Sequence, residues 1–94
     1  MHWETIRVFE WDRGNLAHIL KHSVTSQDAE DAVLDPMAVT IWTGYRGGEY
    51  REWIVGMTRA SRLLSVVVTE RGVLWRVVST RDAARHEAEE YTRR

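Results

Sequence analysis

The spacing of apolar positions changes character along this chain and predicts its elements in order. "TIRVFEW" alternates and is rich in β-formers, which predicts a strand over residues 5–11. Asp12 then stands as a natural N-cap for a helix over 13–22, with Leu16, Ile19 and Leu20 forming a stripe at i, i+3 and i+4. Thr25 with Asp28 three residues on reads as a capping box for a second helix, which runs through Ala29, Ala32 and Val33 until Asp35–Pro36 stops it. From there the period falls to two. "MAVTIW" (37–42), "EYREWIVGMT" (49–58), "RLLSVVVTE" (62–70) and "VLWRVVST" (73–80) predict four strands. Their connections are too short for crossovers, so the strands form an antiparallel meander. A last helix is expected to begin near Ser79 or Thr80, with Asp82 in its first turn and Ala84, Ala88 and Tyr91 along one side. The prediction is one α+β domain over residues 1–94, ordered β-α-α-β-β-β-β-α.

Parity sorts the strand residues into faces. Met37, Val39, Ile41, Trp53, Val55, Met57, Leu64, Val66, Val68, Val73, Trp75 and Val77 form the expected core face, covered by the first two helices. Trp11, Trp53 and Trp75 are then core tryptophans. The other face is half polar, carrying Trp42, Glu52, Ser65, Thr69, Arg76 and Thr80 among others, and is expected to be covered in part by the last helix or a partner.

Composition narrows the classes. Without cysteine, disulfides and thiolate zinc sites are excluded. No signal-peptide pattern opens the chain and no apolar run approaches the roughly 20 residues of a membrane span, so a cytoplasmic protein with no membrane partner is expected. The formal net charge of −1 argues against a nucleic-acid binder taken whole, but its distribution argues otherwise. Residues 1–35 hold three basic and seven acidic groups, net −4, whereas residues 59–81 hold Arg59, Arg62, Arg71, Arg76 and Arg81 against Glu70, net +4. Such segregation points to an anionic partner on one surface, or else to arginines paired with the N-terminal acids.

Three features carry candidate chemistry. His18 and His22, four apart on the first helix, share a face on which they could bind metal, move protons or pack. Ile19 stands where the hydrolytic zinc motif needs Glu, so no metal or other cofactor is expected. Lys21, the chain's only lysine, adjoins His22 near the helix C-terminus, where the helix dipole favours cations. Arg76, Arg81 and Arg85 flank the start of the last helix, whose free N–H groups make an anion site; in the alternative, Arg85 pairs with Glu89. Trp42, on the open face, could stack on a base or meet a partner.

Together the two ends of the chain match a family. "FEWDRGNLAHILKHSVTSQDAEDAVLDP" and "RLLSVVVTERGVLWRVVSTRDAARHEAEEY" resemble the opening and closing signatures of the BrnT (DUF497) toxins. The motif residues are Asn15, His18, Lys21 and His22 in the first block and Arg76, Thr80, Arg81, Arg85, Glu87 and Tyr91 in the second. Ser23 stands where Gly commonly follows the histidine. The resemblance implies a RelE-like fold, ribonuclease activity that inhibits growth, and neutralisation by a small ribbon-helix-helix antitoxin of the BrnA type. On this basis His22, His18, Lys21, Arg76 and Arg81 are the expected catalytic groups. Arg62, Trp42, Thr80, Arg85 and Tyr91 are the expected RNA contacts. A non-catalytic module that docks a partner or nucleic acid through the open sheet face is the alternative.

Overall fold

The computed structural model describes residues 7–94. Its elements are β1 (Val8–Phe9), α1 (Arg13–Leu20), α2 (Ser26–Leu34), β2 (Val39–Arg46), β3 (Glu49–Met57), β4 (Leu63–Arg71), β5 (Leu74–Asp82) and α3 (Arg85–Arg93). The predicted order and class therefore hold. The five strands form one sheet in the order β1-β5-β4-β3-β2; β2 to β5 are an antiparallel meander and β1 adds to β5 in parallel. No helix of the described residues is long and apolar enough to cross a membrane.

Both predicted caps are present. The Asp12 carboxylate accepts from the Asn15 amide N–H (3.0 Å) while the Asn15 side chain accepts from the Asp12 N–H (2.7 Å). Thr25 and Asp28 exchange the same pair at 3.1 Å each. Two reciprocal bonds at each start satisfy donors that a bare helix end leaves open.

Ile19, Val24, Ala29, Ala32, Val33, Ile54, Leu64, Val66, Val68 and Val77 make the core, with Trp11 and Trp75 packed against it. The core side of β3 is thus Ile54 and Gly56, the parity opposite to the one expected. Trp53, Val55 and Met57 point away from α1 and α2, and Val39, in register with Val55, goes with them. Met37 is exposed, outside the sheet. The cause is twofold. Both parities of β3 are apolar, and a bulge between Thr40 and Trp42 shifts the phase of β2, so that alternation read from one end fails at the other. The decisive residue is Gly56. A Cβ there would lie 1.9 Å from the Ala32 carbonyl oxygen, so α2 seats directly on the β3 backbone.

The last helix starts later than expected. Ser79, Thr80, Arg81 and Asp82 continue β5, paired with Val67, Val66, Ser65 and Leu64. A second bulge, between Val67 and Val68, absorbs the mismatch. Arg81 is therefore a strand residue rather than part of a first helical turn. The helix α3 packs against β2 and β3, and Val55 is fully buried there, outside the main core. The first strand is shorter than predicted, and of the range 5–11 Thr5 and Ile6 lie outside the described residues.

Candidate functional site

The helix α1 is tied down at both ends by arginines from the far side of the chain. At its start, Arg76 donates to Glu10 (3.1 Å) and pairs with the Asp12 cap (2.9 Å). The Asp12 carboxyl is held below the usual range by the Asn15 N–H and then by Arg76. At its close the chain turns sharply: Ser23 N–H donates to the Leu20 carbonyl (2.9 Å) and Val24 N–H to the Ile19 carbonyl (3.3 Å). Ser23 takes a left-handed φ of 57°, and Ile19 and Val24 are both fully buried. These are the marks of a Schellman ending, with its hydrophobic contact beneath it.

Arg62 grips that ending. Its Nη1 donates to the Ser23 carbonyl (2.6 Å), its Nη2 to the His22 carbonyl (2.9 Å) and its Nε to the Asp82 carboxylate (2.7 Å). One guanidinium thus joins the turn after α1, the start of β4 and the end of β5. Its own backbone is set by Thr58, whose N–H donates to the Arg62 carbonyl (2.9 Å) and whose hydroxyl accepts from the Arg62 N–H (3.1 Å). Arg62 holds the Asp82 carboxyl below its usual range, and the His22 imidazole acts in the same direction. His18, Lys21 and His22 are all exposed around this anchored turn.

The structure brings some of the expected residues together and not others. His18, Lys21 and His22 share the close of α1, with Arg62 beneath them and Asp82 beside them. Arg81 lies one residue from Asp82 along β5, but its guanidinium is occupied: it donates to both Glu87 carboxylate oxygens (2.8 and 2.7 Å). The same carboxylate accepts from the Ala84 N–H (2.7 Å) at the start of α3. An internal carboxylate therefore fills the anion position expected at this helix start. Arg76 stands with Asp12 at the opposite end of α1 from His22. Thr80 is 1 % exposed, in register with Val66 on the core side of β5. Arg85 is 95 % exposed and paired with Glu89 (3.8 Å). The Tyr91 hydroxyl donates to Asp35 (2.6 Å), far along α3. Trp42 is on the open face of β2, in register with Trp53.

Sequence reasoning did not find Asp82 or the two carbonyls. A backbone carbonyl carries no residue-type signature, and the sequence pattern places Asp82 in the first turn of a helix rather than at the end of β5. Among the described residues no three His, Asp or Glu side chains gather into a set that could hold a metal ion.

No curated protein matches the chain. A family model described as "Ribonuclease toxin, BrnT, of type II toxin-antitoxin system" matches residues 11–87, from Trp11 at the entry to α1 through to Glu87 in α3. The matched span is most of the chain, and on that ground the protein belongs to the BrnT family of ribonuclease toxins of type II toxin–antitoxin systems.

Proposed function

We propose that this toxin cleaves RNA without a metal ion at the close of α1, and that translation and growth stop as a result. Cleavage of this kind needs a base to take the 2′-OH proton, an acid to protonate the departing 5′-oxygen, and cations to hold the pentacoordinate phosphate. The 2′-oxygen attacks phosphorus, the bond to the 5′-oxygen breaks, and the products are a 2′,3′-cyclic phosphate and a 5′-hydroxyl. His22 is the proposed proton carrier, with His18 one helical turn behind it. Lys21 supplies the adjacent charge, and Arg81 joins it once Glu87 releases its guanidinium to the phosphate. Arg62 is a positioning residue, because all three of its nitrogens serve the fold. Arg76 and Arg85 act further off, through the field of the basic β5 end. The partner is an antitoxin, proposed to be of ribbon-helix-helix type.

The observation that carries this reading is the exposed His22–Lys21 pair on a turn whose two carbonyls Arg62 holds while Asp82 holds Arg62. The test incubates the purified chain with end-labelled RNA in EDTA. Cleavage with cyclic-phosphate ends is expected in chelator, and His22→Ala is expected to lose it at an unchanged melting temperature. Activity that vanishes in chelator and returns with added metal refutes the metal-free scheme. Full activity in His22→Ala removes that residue from it.

A further inference from the structure

A second feature lies on the opposite face of the sheet, away from α1 and α2. Along β2 the residues Trp42, Gly44 and Arg46 share this face at successive alternate positions. The Trp42 indole lies flat across Gly44: a Cβ at Gly44 would sit 2.6 Å from its ring. One face of the indole therefore rests on the strand, and the residue as a whole is 40 % exposed. Across the ladder, Trp42 is in register with Trp53, Gly44 with Arg51, and Arg46 with Glu49. Trp53 is locked by an Nε1 bond to the Ser65 hydroxyl (2.6 Å). The Arg46 guanidinium lies 5.7 Å from the Trp42 ring centre.

Trp42, Arg46, Arg51 and Trp53, with Val67, Val78 and Ser79, line a groove of about 230 Å³. That is smaller than the roughly 300 Å³ at which drug-sized pockets begin, so it suits one planar group rather than a whole ligand. The charge of the face narrows the choice of group. By strand register, Arg46, Arg51, Arg71, Arg76 and Arg81 belong to this face; Arg76 is held by Glu10 and Asp12, Arg81 by Glu87, and Arg51 and Arg71 lie 3.3 and 3.9 Å from Glu49. The Arg46 and Arg51 guanidiniums beside a shelved indole complement a polyanion that carries aromatic rings.

We infer that the Trp42–Gly44–Arg46 groove is a nucleobase subsite, holding one unpaired base of single-stranded RNA on the Trp42 indole with flanking phosphates on Arg46 and Arg51. The inference rests on the ribonuclease reading for its ligand, although its residues are separate from the His22 cluster. Along β5, Ser79 in the groove wall is two residues, about 7 Å, from Arg81. A chain seated in the groove is thus directed toward the strand end where Asp82 and Arg62 meet the close of α1.

The test uses the full chain carrying His22→Ala, titrated with a single-stranded RNA oligomer bearing 2′-O-methyl groups, which cannot form the cyclic product. Anisotropy of a label on the oligomer gives affinity, and tryptophan fluorescence reports stacking. Adding Trp42→Ala is expected to weaken binding about 10-fold and abolish most of the quenching. Trp42→Phe should recover most of the affinity. Tyr45→Ala, an exposed aromatic on the other face of the same strand, should stay within about 2-fold. Equal affinities with and without Trp42 overturn the inference. So does a Trp42→Ala chain that keeps RNA and loses only its antitoxin, since the groove then belongs to the protein partner. If the chain with His22 intact cuts no RNA while Trp42-dependent binding persists, the cleavage reading fails and the subsite stands.

Discussion

Arg81 holds Glu87 through two hydrogen bonds of 2.8 and 2.7 Å, and of the two side chains only Arg81, 47 % exposed, reaches solvent. Glu87 is fully buried and also caps α3 through the Ala84 N–H. The two halves of the pair are therefore unequal. Removing Glu87 frees a cation that can turn to water; removing Arg81 strands a carboxylate inside the protein. We expect Arg81→Ala to cost about 3 kcal/mol and Glu87→Ala about 1–2 kcal/mol, in urea unfolding near pH 7. The reverse order would show that the carboxylate finds another partner.

The same pair sets an acid limit. Arg81 holds the Glu87 carboxyl below its ordinary value, against the opposing effect of burial, with the Ala84 N–H assisting. A depressed carboxyl contributes its stability in full above the unfolded value and loses it as pH falls through the folded one. The native chain should thus lose this contribution progressively as pH falls from the usual carboxylate range through the lowered folded value. In Arg81→Ala only the Ala84 N–H and His86 still oppose burial, so this acid-linked loss should shrink, and the variant's stability deficit against the native chain should narrow as pH falls. Melting temperature against pH, compared between the two chains, reads the difference.

Ser23 adopts the left-handed backbone that a Schellman ending requires and that a side chain disfavours. Glycine meets this requirement without the Cβ penalty. Ser23→Gly should relieve strain of about 1 kcal/mol, offset in part by the extra freedom of the unfolded chain. A net gain of about 0.5 kcal/mol is expected, with RNA cleavage retained because Arg62 binds the backbone carbonyl. Ser23→Val should lose about 1 kcal/mol or more. Thermal denaturation of the pair checks both signs.

Asp35 joins three elements by accepting from the Met37 N–H (2.9 Å), the Met57 N–H (2.9 Å) and the Tyr91 hydroxyl (2.6 Å). Burial raises its carboxyl, but these three donors prevail and hold it below the usual range. Tyr91→Phe should cost about 1.5 kcal/mol, and Asp35→Ala more, because two amides lose their acceptor as well. A double-mutant cycle should return a coupling of about 1 kcal/mol. Additive losses would mean that the hydroxyl bond does not hold α3 in place.

Gly56→Ala is the severest single change expected. Its Cβ would meet backbone, the Ala32 carbonyl, which cannot turn aside as a flexible side chain would. A loss of about 3 kcal/mol or more is expected, visible as a lowered melt in circular dichroism. An unchanged melt would require α2 to shift off β3 without cost.

How much of this was legible beforehand follows from the range of each interaction. Caps such as Asp12–Asn15 and Thr25–Asp28 act over three residues, and the chain order alone revealed the Asp12 and Thr25 starts. Face assignment in β4 succeeded because Leu64, Val66 and Val68 alternate in a strand without interruption on that stretch. It failed in β3, where Ile54 and Val55 are equally apolar and only the Gly56–Ala32 approach separates the faces. The late start of α3 was hidden for a related reason: "STRD" has the polar character of a helix start, yet β4 offers a free ladder to pair with it. At the site, the histidines and Lys21 were visible as residue types. The grip of Arg62 on two carbonyls about 40 residues away was not, since any residue supplies a carbonyl.

Among the described residues β1 meets β5 through two register pairs, yet the neighbouring Glu10–Arg76 bond spans 66 positions of sequence. During synthesis Val8 leaves the ribosome long before Leu74 exists to receive it, and Arg62 must wait for Asp82 in the same way. Such distant closures come late in folding. A nascent toxin therefore stays unassembled, and by this reading harmless, until β5 and Asp82 have emerged.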